Sequence, residues 1–192
     1  MAGAQPEPQE SGADLTAFAF QLEELRPAAE RFARRLLGHV HDAEEAVQDA
    51  FLRLLRASDQ FEGRSSLRTY VFAAVRNSCI DRRRKRVTKS GRLREVNPET
   101  TAFFRRLPQG SRFAGVSTQI RRRESQEIVR AAIDSLPERQ RACMILRDLE
   151  GLAYREVADV LGITANHVGV LLYKARNRLR TLIEEGDFFG GD

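Results

Sequence analysis

Residues 151–180 read GLAYREVADVLGITANHVGVLLYKARNRLR, and within them Ala158, Gly162, Val168 and Leu171 fall at the spacing of a helix-turn-helix. A small residue at Ala158 lets a second helix approach closely, and Gly162 supplies the positive φ that the turn demands. Val168 and Leu171 bind the second helix to the first, while Val157, Leu161 and Ile163 fill the remaining inward positions. Such a unit places its second helix in the major groove of DNA. A plain αα-hairpin uses the same apolar spacing. The basic run after the turn, Lys174, Arg176, Arg178 and Arg180, favours DNA over that bland alternative.

Composition points the same way. A net charge of +5 and a pI near 9.7 favour a polyanionic partner, although overall charge does not separate DNA, RNA and membrane. No apolar run reaches the length of a membrane span, and the opening MAGAQPEPQESGAD lacks the basic-then-apolar build of a signal peptide. The expectation is a cytoplasmic protein that does not insert into membranes. Cys79 and Cys143 stand far apart without a CxxC pattern, and read as buried thiols. His39, His41 and His167 form no ligand set with them, so neither a metal nor another cofactor is expected. β-branched residues are scattered inside helical periods rather than alternating. The expected class is all-α.

The chain divides into two small helical domains joined by a flexible linker. Residues 1–13 are polar, acidic and rich in Pro and Gly, and read as a disordered tail. Residues 14–90 form the first domain. Asp14 is a candidate N-cap for a helix toward Leu37, with Leu15, Phe18, Leu22 and Leu25 on one face. Pro27 should kink or restart that helix, Phe32, Leu36 and Leu37 continue the stripe, and Gly38 ends it. A second helix runs from about Asp42 to Ser58, with Ala43, Val47, Ala50, Phe51, Leu54 and Leu55 facing a core. After the loop FEGRSS, a third helix runs from Leu67 to about Arg86. Residues 91–118 make the linker, and Phe103, Phe104 and Phe113 suit it to a groove on a partner. The second domain spans residues 119–185, with helices at about Gln119–Asp134, Pro137–Leu149, Tyr154–Leu161 and Ala165–Glu185, before a short tail at 186–192.

Two stretches of the first domain carry candidate contacts. In HDAEEAVQDAFLRLLR, Asp42, Glu45 and Asp49 form an acidic stripe opposite the apolar face, with Gln48 beside it. A solvated face with an Asp49–Arg53 pair explains it blandly; a basic partner surface explains it with more content. In FEGRSSLRTYVFAAVRNSCIDRRRKR, Phe61, Tyr70 and Phe72 sit among Arg64, Arg68, Arg76 and the arginine run, with Ser65, Ser66, Thr69 and Asn77 as small polar groups. Aromatics interleaved with cations suit unpaired bases, since rings stack on bases while guanidinium groups hold phosphates. Phe72 alone reads better as core.

Taken together, DAEEAVQDAFLRLLR, FEGRSSLRTYVFAAVRNSCIDRRRKR and LPERQRACMILRDLEGLAYREVADVLGI resemble three motifs of the extracytoplasmic-function sigma factors, in the right order and at the right distances. The resemblance covers residues 14–185 apart from the linker. It implies a promoter-specificity subunit that binds core RNA polymerase at the clamp of the largest subunit, opens the −10 element and reads the −35 element of promoter DNA. By position it assigns Asp42, Glu45, Gln48 and Asp49 to the clamp. It assigns Phe61, Gly63, Arg64, Ser65, Ser66, Arg68, Tyr70, Arg76 and Asn77 to the −10 strand, with the loop holding a flipped base. It leaves Thr164, Asn166, His167, Tyr173, Lys174, Arg176 and Arg178 for the −35 element. It further implies an anti-sigma factor that occludes both domains.

The chain departs from the family at two places. Tyr70 stands where a Trp is usual, and HVGVLL (His167 to Leu172) where the recognition helix commonly reads like TVKSRL. Gly169 costs about 1 kcal/mol of helix stability against Ala and permits close backbone approach. Two rival readings explain less. A dimeric helix-turn-helix regulator leaves the acidic stripe and aromatic loop without a role, and a recombinase-like enzyme needs a catalytic cluster that the sequence lacks.

Overall fold

The computed structural model describes residues 10–90 and 129–185, which fall in two compact units divided between Lys89 and Ser90. All regular structure among them is helical. In the first unit, α1 (Glu10–Leu37), α2 (Val40–Arg56) and α3 (Leu67–Ser90) surround one core, with a short 3-10 turn at Ser58–Gln60. Leu22, Ala29, Phe32 and Ala33 of α1 meet Ala43, Val47, Ala50, Phe51 and Leu54 of α2 and Val71, Phe72, Val75 and Cys79 of α3 in that buried set. Phe32 and Phe72 pack edge to face, ring centroids 5.3 Å apart. Phe72 is therefore core, as its helical phase indicates.

Three details differ from the sequence expectations. The first helix begins at Glu10, upstream of the Asp14 cap, and takes in the end of the expected tail; residues 1–9 lie outside the described residues. It also runs through Pro27 without a break. Proline removes a single helical hydrogen bond, and the buried residues on both sides, Leu22 and Ala29, hold the helix to the core. Leu15 is exposed rather than part of that stripe. Gly38, at φ 74°, ends the helix as expected, its N–H donating to the Arg34 carbonyl.

In the second unit the helical residues 129–134 (α4) lead to α5 (Glu138–Met144), a π-helical turn (Ile145–Leu149), α6 (Tyr154–Leu161) and α7 (Ala165–Glu185). Pro137 caps α5 from outside rather than occupying its first turn; its carbonyl accepts from Arg141. The π turn was not legible in the periodicity. Its Glu150 N–H reaches back to the Ile145 carbonyl, and Gly151 at φ 75° then turns the chain toward α6. Cys143, Ile145, Leu146, Leu152, Val157, Val160, Val168, Leu172 and Ala175 build the core. The expected linker, the end tail and residues 119–128 of the helix expected from Gln119 lie outside the described residues.

Candidate nucleic-acid interface

The helix-turn-helix is built by local bonds as well as by burial. Gly162 takes the left-handed conformation (φ 64°, ψ 42°), and the Ile163 N–H donates to the Ala158 carbonyl at 3.1 Å, closing α6. Thr164 opens α7, its Oγ1 accepting from the His167 N–H at 3.2 Å. At the other end of α6, Glu156 accepts from the Ala153 N–H at 2.8 Å, and alanine has no side-chain oxygen to complete the reciprocal cap. Val157, Ala158 and Leu161 face Val168 and Leu171, all buried, while Ile163 is half-buried.

The outward face of α7 follows from that packing. Asn166, His167, Val170, Tyr173, Lys174, Arg176, Arg178 and Arg180 are exposed, and Thr164 is exposed at the turn. Arg176 differs from the other cations. Its guanidinium makes a two-pronged pair with Asp148, 2.8 and 3.3 Å, which ties α7 to the π turn and raises the pKa of the arginine. The neighbouring Arg147 stacks over the Tyr154 ring at 5.3 Å. A Cβ added at Gly169 would meet only Tyr154 Cε1, at an ordinary 3.7 Å. The protein's own packing thus does not require glycine there.

In the first unit, Ser66 sets the start of α3. Its Oγ accepts from the Thr69 N–H at 3.1 Å and lies 2.8 Å from the Thr69 hydroxyl. That first turn carries Tyr70, whose ring stacks on Phe61 with centroids 5.2 Å apart. Phe61 in turn meets Phe18 of α1 at 6.0 Å. The three rings, all half-buried, form a row of contacts in which Phe61 is the middle member. Gly63 (φ 68°) shapes the exposed loop, where Arg64 pairs with Glu62, and Ser65 is half-buried. Asn77 is exposed, seven residues beyond Tyr70 and so on its face of α3. Arg68 is not on that face: residues two apart on a helix diverge, and its guanidinium lies over Phe72 at 5.7 Å. Arg76 is half-buried.

The acidic stripe of α2 faces α3. Arg82 bonds to both Glu45 and Asp49, the latter at 3.0 Å; Arg86 pairs with Asp42; Arg53 pairs with Asp81 at 3.4 Å. The bland Asp49–Arg53 pair therefore gives way to an interhelical ladder. Partial burial of Arg82 alone would lower its pKa, but the bonds to Asp49 and Glu45 outweigh that and raise it. Gln48 stands apart from the ladder, fully on the exposed side. Arg82 and Arg86 stand four residues apart in the arginine run, but nothing in that spacing names α2 as their partner. Phe18, the α1 member of the ring row, was legible only as an apolar-face residue.

Two family models match this chain, Sigma-70 region 2 over residues 22–88 and Sigma-70 region 4 over residues 126–179. The chain belongs to the sigma-70 family. Within it, several of the relatives are extracytoplasmic-function sigma factors. SigG of Mycobacterium tuberculosis is 35% identical over 161 residues, covering 77% of this chain and 44% of the relative. SigW of Bacillus subtilis is 26% identical over 176 residues, covering 90% and 91%. Among the first of these curated relatives, the sigma factor chain spans about half their length, 44% of SigG and 55% of SigE from Mycolicibacterium smegmatis. In solved structures, the sigma factor RpoE of Bartonella quintana, in complex with the anti-sigma factor NepR, matches with TM-score 0.65 and 25% identity, over 88% of this chain and 97% of that one. Among the described residues of this sigma factor, no helix is long and apolar enough to cross a membrane.

Proposed function

We propose that this sigma factor binds core RNA polymerase at the clamp of its largest subunit and directs it to a particular set of promoters. The first unit would engage the clamp and open the −10 element; the second would read the −35 element. The observation that carries this reading is the agreement between the two matched regions and the two compact units. One unit holds a half-buried pair of stacked aromatic rings at the start of a basic helix, and the other holds a helix-turn-helix with an exposed recognition face.

The protein performs no chemistry of its own on this reading. Binding free energy drives promoter opening, and exposed bases are captured on the Tyr70 face with Asn77 on the same side of α3. Asp42, Glu45, Gln48 and Asp49 would present the clamp-facing surface. The carboxylates are held in place by Arg82 and Arg86, yet those of Glu45 and Asp49 remain about 40% exposed, open to a second cation. The work is cytoplasmic, on chromosomal DNA. An anti-sigma factor fits as the regulator, as in the complex of the Bartonella relative.

Run-off transcription with purified core polymerase tests the proposal. The expected result is transcripts that depend on this chain and start at one class of promoter. A chain that binds a palindromic duplex as a dimer, and leaves core polymerase inactive, would instead be an ordinary helix-turn-helix regulator.

A further inference from the structure

We infer that Val170 reads a thymine methyl group in the −35 duplex, and that with Asn166 it makes the second unit selective for an adenine and a thymine held about two base-pair steps apart. This rests on the promoter reading proposed above. Val170 lies at the centre of the outward face of α7, flanked at three and four residues by His167 and Asn166 before it and Tyr173 and Lys174 after it. The residue is 46% exposed although its side chain is aliphatic and β-branched. Valine is a weaker helix former than alanine and gains nothing from an open surface. A polar or small residue would suit the free helix at least as well, and the exposed apolar group is available for burial against a partner.

The chemistry of the groove names that partner. The edges of the four base pairs in the major groove are polar except for one group, the C5-methyl of thymine. An apolar side chain at the middle of a groove-facing stripe discriminates by covering that methyl. Asn166 sits one helical turn earlier and is exposed; an asparagine amide there matches the N6 and N7 of adenine with two bonds. Four residues advance the helix by about 6 Å, close to two base-pair steps. Thr164 caps the helix through one lone pair of its hydroxyl and Arg176 is paired with Asp148, so Asn166 and Val170 are the better placed to meet base edges. Lys174 and Arg178, further along the helix, hold phosphates and carry no sequence information.

The test isolates the methyl group. The full chain with core polymerase is first used to select a preferred sequence from randomised duplex DNA. Each thymine in the selected −35 region is then replaced singly by uracil, which removes the C5-methyl and nothing else. The expected result is one thymine whose replacement weakens binding about fourfold, the value of one buried methyl group. In Val170→Ala, which shortens an exposed side chain and improves helix propensity, the same replacement should have no effect. Asn166→Ala should relax the preference for adenine at its own position while keeping the uracil penalty. Indifference of the wild-type chain to every uracil, with a sequence still selected, would overturn the inference and leave the promoter reading standing. So would a fourfold penalty that persists in Val170→Ala. A chain that selects no sequence at all would overturn both.

Discussion

Arg82 on α3 holds the Asp49 carboxylate of α2 at 3.0 Å while its other arm bonds Glu45. Arg86 and Asp42 repeat the pairing one turn away, and Arg53 and Asp81 extend it in the opposite direction. The acidic stripe is thereby a fastener between two helices before it is a surface for any partner. Both functions are compatible, because a carboxylate accepts more than one donor. They have different consequences for mutation.

Reversal of one charge separates them. Asp49→Arg places a second cation beside Arg82 and should lower the stability of the first unit by about 1 kcal/mol, the upper range for a partly exposed pair. The double reversal, Asp49→Arg with Arg82→Asp, should restore most of that loss, as coupled neighbours do. Affinity for core polymerase should stay reduced in the double variant if the stripe also meets a basic clamp. Thermal melting and core-binding titrations on the same samples decide this. Core binding restored together with stability would show the stripe to be a fastener alone.

The ring row supports a second prediction. Tyr70 is half-buried against Phe61, so its truncation affects both packing and base capture. Tyr70→Ala should cost about 1 kcal/mol of stability from the lost ring pair and a further 1–3 kcal/mol or so of base stacking. Transcription from duplex promoters should fall strongly, and a template already mismatched across the −10 element should recover part of it. Phe61→Leu keeps the middle of the row filled, and should lower stability slightly with little change in the ratio between the two templates. Equal losses of Tyr70→Ala on duplex and premelted DNA would assign Tyr70 to packing only.

Helical periodicity made most of this fold legible, because it depends on residues three and four apart. The inward positions Val157, Ala158, Leu161, Val168 and Leu171 are buried as their spacing predicts, and so are Val47, Ala50, Phe51 and Leu54. What periodicity cannot carry is pairing between elements. The meeting of Arg82 with Glu45 and Asp49, and of Arg176 with Asp148, joins residues about thirty positions apart, and either cation reads equally well as a phosphate contact. The same limit applies to Phe18, whose ring contact depends on where α1 passes the loop. The π turn at Ile145–Leu149 inserts its extra residue without any proline or glycine to mark it.

Burial makes Cys143 a probe of the second unit. Desolvation pushes its thiol up from 9.0 to about 11, since the thiolate would be stranded among apolar neighbours. A pKa raised in the folded state leaves this contribution intact below pH 9.0 and removes it as the pH climbs toward about 11. Thiol-reactive reagents at pH 8 should accordingly leave native Cys143 unmodified, with labelling appearing only along the unfolding transition. In alkaline melts, Cys143→Ala should be less stable overall but should lack this part of the decline above pH 9. Rapid labelling of the native protein at pH 8 would contradict the assignment.

The cations of α7 give the last prediction, because the structure divides groups that look alike in sequence. Lys174 and Arg178 are exposed, whereas Arg176 is tied to Asp148 by two bonds. If the first two hold phosphates, Lys174→Ala and Arg178→Ala should each flatten the dependence of log affinity on log salt by about one unit, with sequence preference unchanged. Arg176→Ala should leave that slope nearly unaltered. Its effect should fall on stability instead, by 1 kcal/mol or so, since the pair is partly exposed and well aligned. Asp148→Asn removes the carboxylate charge and frees the guanidinium to reach a phosphate, so it should steepen the slope where Arg176→Ala does not flatten it. Salt titrations of DNA binding for these four variants are sufficient. A loss of slope in Arg176→Ala equal to that in Lys174→Ala would mean that the Asp148 pair opens when DNA binds.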